Sequence, residues 1–385
     1  MSKKQITRGV LALVAAALSS TAAMAGGFSR GEADTDILYE DGKVKARAGA
    51  VFVSPERKYD TVGGSKSSDG SFSDSYWIPS VAAKVQIFDA LGCAFTYTQP
   101  FGASSTYGTD ARRADQLAGA ASGNFNYYTK KHFITNEYGG TCAVRFDVGP
   151  GKLYVLGGGF FQDFDYTADS YYGTLHLKDN SSVGYRLGVG YDIPEYAMRA
   201  QLMYRSQIKE EADGDFTPRA LSALLGTGAV SAYGYGTLPQ SLKLSLQSGI
   251  APGWLAYGSV KWTDWSVLQT LNYNITGLGD QRDDFFWKDG WTIQAGIGHK
   301  FNDRVSGTVN ITWDKGVGNG ADIMTDTWTL GVGTEIKLGP GDLRVGAGVS
   351  YLTAGSQSYS KGASYDATAN GDWAYAIGSS YQIKF

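Results

Sequence analysis

The sequence predicts an all-β protein, a transmembrane antiparallel β-barrel of about fourteen strands with a short N-terminal plug in its lumen. Three observations predict it. In the last segment Trp373, Tyr375, Ile377, Tyr381, Ile383 and Phe385 fall on one face, with Ala374, Ala376, Gly378, Gln382 and Lys384 on the other. That is period two, kept well beyond the about five or six residues usual for a soluble strand. Short connections alternate with long ones along the chain, as they do in bacterial outer-membrane barrels. The composition, 52 Gly, 25 Tyr, 17 Phe and 9 Trp in 385 residues against only 9 Pro and 18% charged residues, favours pleated sheet and interfacial aromatic girdles.

At the start, Lys3, Lys4 and Arg8 precede an apolar run over residues 9–18 and then Ala23-Met24-Ala25. This is the tripartite pattern of a secretory signal peptide, residues 1–25. The run is shorter than the about 20 apolar residues of a transmembrane helix. Residues 26–42 are expected as the plug segment and 43–385 as the barrel, with no Pro-rich or Ser-rich linker dividing them. A mean hydropathy of -0.22 fits a barrel, whose lipid and lumen faces cancel in any average. The net charge of -3, with no basic stripe, excludes nucleic acid as a partner.

Strands are expected over 43–54, 74–88, 91–104, 131–148, 152–167, 180–193, 196–210, 233–250, 254–269, 289–301, 304–315, 326–338, 342–353 and 372–385. Gly149-Pro150-Gly151, Pro194-Glu195, Ala251-Pro252-Gly253, Asn302-Asp303 and Gly339-Pro340-Gly341 read as periplasmic turns. Residues 55–73, 105–130, 211–232, 270–288 and 354–371 read as extracellular loops, and the even strand count places both termini in the periplasm. Arg186, Arg199, Arg205, Lys261, Arg344, Asp192 and Glu335 alternate inward. On the lipid face an Arg or Lys would cost about 2–4 kcal/mol at the midplane. Cys93 and Cys142 face lipid on neighbouring strands, where a cross-strand disulfide and two free thiols both remain open.

Several segments resemble the FadL family of outer-membrane transporters for long-chain fatty acids and other hydrophobic molecules. Gly26-Gly27-Phe28 is similar to the family's small-small-Phe start, and the resemblance implies Phe28 at the ligand. Ala48-Gly49-Ala50-Val51-Phe52-Val53-Ser54-Pro55 resembles the first strand and Trp77-Ile78-Pro79-Ser80 the second. Tyr204-Arg205-Ser206-Gln207-Ile208-Lys209 with Leu238-Pro239-Gln240 resembles the seventh and eighth. Trp262-Thr263-Asp264-Trp265-Ser266 with Trp287-Lys288-Asp289-Gly290-Trp291 resembles the ninth and tenth. The chain departs from the family at the plug, which is short and carries Ala33-Asp34-Thr35-Asp36-Ile37-Leu38-Tyr39 in place of an Asn-Pro-Ala motif.

The resemblance implies a route from an outer groove on the loops to a pocket in the barrel, then sideways through the wall beside an inward-kinked third strand. Pro100 removes a ladder hydrogen bond and Gly102 tolerates a bulge. Pro100-Phe101-Gly102 is therefore where a lateral opening is expected, unless Pro100 merely ends the strand at the rim. Leu221, Leu224 and Leu225, after Pro218, are spaced as a short amphipathic helix that could take an acyl chain or pack the loop onto the barrel. Residues 111–121, headed by Arg112-Arg113, form a second such helix. A ligand carboxylate needs a cation inside the barrel. By the resemblance that cation is Arg282, with Lys288 in reserve. The family's other basic position, on the fifth strand, is occupied here by the acidic run Gln162-Asp163-Phe164-Asp165.

His132, His176 and His299 sit in unrelated segments with no metal-ligand spacing, so neither enzyme chemistry nor a metal or cofactor is expected. The expected function is passive uptake of long-chain fatty acids or similar hydrophobic molecules by a monomer set in outer-membrane lipid. Uptake of neutral aromatic hydrocarbons, a surface adhesin or structural barrel, and a polar-solute porin are the alternatives.

Overall fold

A computed structural model describes residues 26–120, 123, 125–219 and 228–385. The expected signal peptide, residues 1–25, and Leu221, Leu224 and Leu225 lie outside the described residues. Fourteen antiparallel strands close into a barrel. They are β1 (Val44–Pro55), β2 (Tyr76–Phe88), β3 (Leu91–Thr98, resuming as Gly102–Thr106), β4 (Tyr128–Val148), β5 (Gly151–Ser170), β6 (Gly173–Ile193) and β7 (Met198–Arg205, resuming as Ile208–Pro218). The second half comprises β8 (Val230–Leu238 and Ser241–Ala251), β9 (Trp254–Thr263 and Thr270–Ile275), β10 (Gly279–Asp284 and Gly290–Lys300), β11 (Val305–Asp314), β12 (Thr327–Leu338), β13 (Gly341–Leu352) and β14 (Asp372–Lys384).

Closure is between β14 and β1, in register from Lys45↔Lys384 to Pro55↔Ala374. A closed ladder leaves no unpaired edge, the condition for a sheet in lipid, where no water is present to satisfy orphan backbone groups. The alternation in the sequence becomes the two faces of this wall. Trp373, Tyr375 and Ile377 point outward and exposed, while Asp372, Ala374 and Gln382 are buried inward. On β11 and β12, Ile311, Leu330 and Val332 face out and Asn310, Thr312 and Thr329 face in. Cys93 and Cys142 are register partners on β3 and β4 and are joined by a disulfide.

Strands β4, β5 and β6 run 21, 20 and 21 residues, about twice the 9–11 that span a bilayer. Their upper halves stand above the membrane together with the extensions of β7, β8, β9 and β10. Residues 211–218, 230–232 and most of 270–288, expected as loops, are therefore strand: β7 continues to Pro218, β8 begins at Val230, and Thr270–Ile275 pairs with Gly279–Asp284. Above the bilayer neither face needs to be apolar, so the alternation that marks a membrane strand fades there. One helix, α1 (Thr109–Ala120), and a small sheet formed by Thr61–Val62, Ser65–Lys66, Gly355–Gln357 and Ala367–Ala369 cover this end around a core of Tyr59, Val62, Ala111, Ile323 and Tyr365.

Residues 26–42 lie inside the barrel. A 3₁₀ turn, Thr35–Tyr39, buries Ile37, Leu38 and Tyr39 against Ala82, Ala94, Ala143, Tyr154 and Leu156 of the inner wall. Three of those wall positions are alanine, which leaves the room the turn fills. Glu40 then ties the segment to the closure seam: its carboxylate meets Lys45 Nζ at 2.7 Å and Arg47 on β1, and accepts from Gln382 Nε2 on β14 at 2.6 Å.

Candidate functional site

Five strands are interrupted, and the breaks in three of them, β3, β9 and β10, bring aromatic side chains together in the lumen. β3 breaks at residues 99–101 and presents Phe101. β9 breaks into a 3₁₀ turn, Trp265–Val267, that buries Trp265 completely. β10 breaks at residues 285–289 and presents Phe285 and Trp287. The plug completes the set: Phe28 lies with its ring centroid 4.7 Å from Phe133, 4.5 Å from Trp287 and 5.6 Å from Phe285. Gly27 threads between the two tryptophans at φ +63, where an added Cβ would stand 2.7 Å from Trp265 and 2.9 Å from Trp287. Only glycine fits both that backbone and that space. The result is an aromatic floor across the barrel.

Above the floor lies a cavity of about 280 Å³, walled by Phe28, Phe133, Phe164, Tyr166, Leu177, Leu268 and Leu271 and roofed by loop residues Ile323, Met324 and Tyr365. Charged groups also line it, among them Arg57, Asp115, Glu210 and Asp322. Lys131 Nζ stands 2.8 Å from Asp283 Oδ2 and 3.8 Å over the Tyr128 ring. Tyr166 donates to the same Asp283 oxygen at 3.3 Å, and the Tyr128 and Tyr273 hydroxyls meet at 2.8 Å. Below the floor the lumen changes character. A second space of about 330 Å³ is lined by Glu32, Asp34, Arg47, Glu137, Arg186, Arg205 and Lys243. Glu137 lies between Arg186 and Arg205, and Glu32 between Lys243 at 2.6 Å and Lys261 at 2.8 Å.

The break in β3 also opens its pairing with β2. The ladder runs up to Ser80↔Thr98 and is regained only at the Ser73↔Ser105 bridge. Neither Pro79 nor Pro100, which stand in the interval, has an N–H to contribute. The plug pairs there in place of β2: Arg30 N donates to Pro100 O and Gly31 N to Gln99 O, both at 2.8 Å, and Gly102 N donates to Phe28 O at 3.0 Å. Against β4 the break is a bulge, residues 99–101 facing only 135–136 between Thr98↔Glu137 and Gly102↔Ile134.

The sequence-predicted residues fall as follows. Phe28 lies in the floor and lines the cavity; Pro100, Phe101 and Gly102 form the β3 break. Arg282 lines the cavity at its outer rim with its side chain 65% exposed and Nε 3.2 Å from Asp284 Oδ1. Lys288 is exposed beyond the cavity lining, its backbone N–H bonded to Val317 O. Lys131, Asp283, the tyrosines around them and Asp322 escaped the sequence reading. Lys131 alone had a usable signal, since it shares an inward face with Phe133 and Thr135. Among the described residues no group of three or more His, Cys, Asp or Glu could hold a metal.

Asp322 joins the roof to the floor, accepting from Trp287 Nε1 at 2.7 Å. Burial raises its carboxyl to about 7, against the opposing effect of that hydrogen bond. The folded loop therefore keeps a proton that the unfolded chain releases near pH 4, and the stability of this contact falls as pH rises from about 4 to 7. Asp322→Asn should abolish this slope. The check is amide exchange over residues 317–326, corrected for intrinsic rates: protection in wild type should drop between pH 5 and 7.5 and stay level in the variant. Equal slopes in both proteins would refute the assignment.

Comparison with known proteins places this geometry. Residues 174–385 match the profile of the outer membrane protein transport protein family, OMPP1/FadL/TodX. The chain is 24% identical to a long-chain fatty acid transport protein of Salmonella typhi, over 88% of this chain and 84% of that one. It is 23% identical to a protein of the same description from Escherichia coli O6:H1, over 83% and 76%. In fold it matches a FadL homologue of Pseudomonas aeruginosa with a TM-score of 0.69, 15% identity and coverage of 95% and 97%. It also matches the Pseudomonas putida toluene transporter TodX at 0.62, 12% identity and coverage of 95% and 96%. The profile covers more than half of the chain, and the barrel, its plug and the outer-membrane setting agree with it: the chain belongs to the OMPP1/FadL/TodX family of outer-membrane transport proteins.

Proposed function

We propose that the protein takes up long-chain fatty acids or similar hydrophobic molecules by passive diffusion: into the cavity, past the plug tip, and sideways through the β2–β3 interval into the bilayer. The observation that carries this reading is that Phe101 packs in the aromatic cluster beneath the apolar cavity and also belongs to the break in the wall, where it lines the space below the floor. A hydrocarbon chain gains about 0.8 kcal/mol for each methylene it buries. Descending further would set it among Glu137, Arg186 and Arg205, whereas a chain that turns sideways at the top of the same space meets Ile78, Pro100 and Phe101. The description of the Salmonella typhi relative supports a fatty acid as cargo. Labelled oleate uptake in a strain deleted for the gene should fall and return on complementation. An adhesin predicts no change, and a polar-solute porin predicts large ion conductance in a planar bilayer.

A second reading, uptake of neutral aromatic hydrocarbons, is favoured by one observation: the three Lys and Arg side chains at the cavity, Arg57, Lys131 and Arg282, already stand beside carboxylates, Asp372, Asp283 and Asp284. The description of TodX supports the same class of cargo. Arg282→Ala separates the readings. If Arg282 receives the fatty carboxylate, affinity for oleate should fall about tenfold, the value of one exposed charge-assisted contact, while methyl oleate is unaffected. Equal loss for both ligands would exclude a carboxylate role.

A further inference from the structure

We propose that the guanidinium of Arg30 is a carboxylate-binding station inside the wall gap, holding the head group of a long-chain fatty acid while its tail passes into lipid. This rests on the lateral route proposed above and names the group that acts there.

Four observations carry it. Arg30 is on the plug and only 5% exposed. Its backbone N–H is fixed to Pro100 O at 2.8 Å, so the residue is held at the β3 break. Its side chain reaches across the interval: Cζ lies 3.9 Å from the centroid of the Tyr76 ring on β2, and a Cβ at Gly102 on β3 would meet that Cζ at 2.8 Å. Continuing the register of Ser80↔Thr98 and Ser73↔Ser105 would set Tyr76 opposite Gly102. The guanidinium thus occupies the place of a missing rung. Finally, Nε and Nη2 are buried with no hydrogen-bond partner.

Arg57 Nε also lacks a partner, but each other buried arginine among the described residues has a carboxylate: Arg57 faces Asp372 at 3.4 Å, Arg186 faces Glu137, and Arg344 faces Glu335 at 2.7 Å. No carboxylate pairs with Arg30 among the described residues. A buried charge is ordinarily paired, because desolvation without a partner is strongly unfavourable. Cation–π contact with one tyrosine offsets only a small part of that. A guanidinium also offers donors in a planar fork that matches a carboxylate. The glycine at 102 leaves the space in which the fork lies. A fatty acid whose tail has turned toward the bilayer brings its carboxylate to the donors that lack an acceptor. Neutral cargo would pass the same gap without using them.

The test uses the full-length protein in outer membranes lacking the chromosomal copy, comparing uptake of oleate and methyl oleate. Arg30→Gln should lower oleate uptake about tenfold, the loss of a charge-assisted pair, and leave methyl oleate within about twofold. Arg30→Lys, which keeps the charge without the fork, should fall between. The ratio of the two cargoes within one preparation is insensitive to expression or folding. Loss of both cargoes together would make Arg30 a structural latch and overturn the proposal, as would no loss of either. The sealed double variant, Pro100→Thr with Gly102→Thr, separates the two levels of inference. If it carries oleate at the wild-type rate, the lateral route itself falls; if it stops both cargoes while Arg30→Gln does not discriminate, only the role of Arg30 falls.

Discussion

Replacing Pro100 and Gly102 together by threonine should reduce uptake to the level of a strain without the protein while the barrel still folds. The interval between β2 and β3 is not a mismatch. Ser80↔Thr98 below it and Ser73↔Ser105 above it belong to one register, so no residue is inserted or deleted on either strand. β3 bows inward because it carries an extra residue relative to β4, and the bulge at 99–101 takes it up. Straightening would exchange three plug hydrogen bonds, those of Arg30, Gly31 and Gly102, for rungs to β2. At about 1 kcal/mol per bond that exchange is close to balanced. Phe101 adds little against it, since leaving the aromatic floor would turn the ring toward lipid beside Trp77 and keep it in apolar surroundings.

The two substitutions act on this balance. Pro100→Thr supplies an N–H where proline has none, and β-branched residues favour the pleated ladder. Gly102→Thr places a Cβ within 2.8–2.9 Å of three atoms of the Arg30 guanidinium and displaces it. A shift of about 1.4 kcal/mol toward the closed wall slows passage tenfold. The one donor that Pro100→Thr adds, about 1 kcal/mol, together with displacement of the Arg30 guanidinium from the interval reaches that. Barrel integrity is read from heat-modifiable migration in gels, and closure from slower amide exchange at Trp77 and Ile78. Wild-type uptake in a folded variant with slowed exchange would mean that cargo leaves elsewhere.

How much of this was legible in the sequence varies with the physics behind each part. The wall was legible because lipid imposes period two: β14, β13 and β11 were bounded to within a residue or two from alternation alone. The break in β3 was legible because proline removes a donor, whatever the fold. Above the bilayer that logic lapses: Thr270–Ile275 does alternate, with Leu271, Tyr273 and Ile275 on one face, but it is short and its partner Gly279–Asp284 is polar throughout, so the pair read as a loop although it is a hairpin. The aromatic floor was half legible. The tryptophans at 265 and 287 stood in the segments that carry the family resemblance, but nothing local shows that a strand will break and turn them inward. Arg30 and Glu40 were not legible at all. Each is one charge in a short polar segment: Arg30 has no carboxylate partner among the described residues, and Glu40 acts at the seam because, besides Lys45 and Arg47 close by in the chain, it meets Gln382, more than 300 residues away.

Removing Glu32 and Glu40 together should convert a poorly conducting barrel into an ion-conducting one. The plug is held to the wall by three kinds of contact: hydrogen bonds to the β3 break, burial of Ile37, Leu38 and Tyr39, and three carboxylates, Glu32, Asp34 and Glu40, set among wall cations. Glu40 is 4% exposed and is the sole carboxylate paired with Lys45 among the described residues, whereas Arg47 keeps Asp34 at 2.5 Å and Arg344 keeps Glu335 at 2.7 Å. Glu40→Ala therefore strands chiefly one cation, and about 3 kcal/mol, the lower end of the range for breaking a buried pair, is the appropriate expectation. Glu32→Ala strands Lys243 and Lys261 at once, in a more open part of the lumen where water screens them. The two sites share no partner, so the effects should add. Closure of the barrel does not depend on them, because the β1–β14 ladder is made by backbone. Single-channel recording should then show brief openings in either single variant and a sustained conductance in the double variant. A double variant that conducts no more than wild type would locate the hold on the plug in the 3₁₀ turn, the β3 hydrogen bonds and the Asp34–Arg47 pair. The Glu32 and Glu40 pairs would then serve to neutralise a charged lumen rather than to close it.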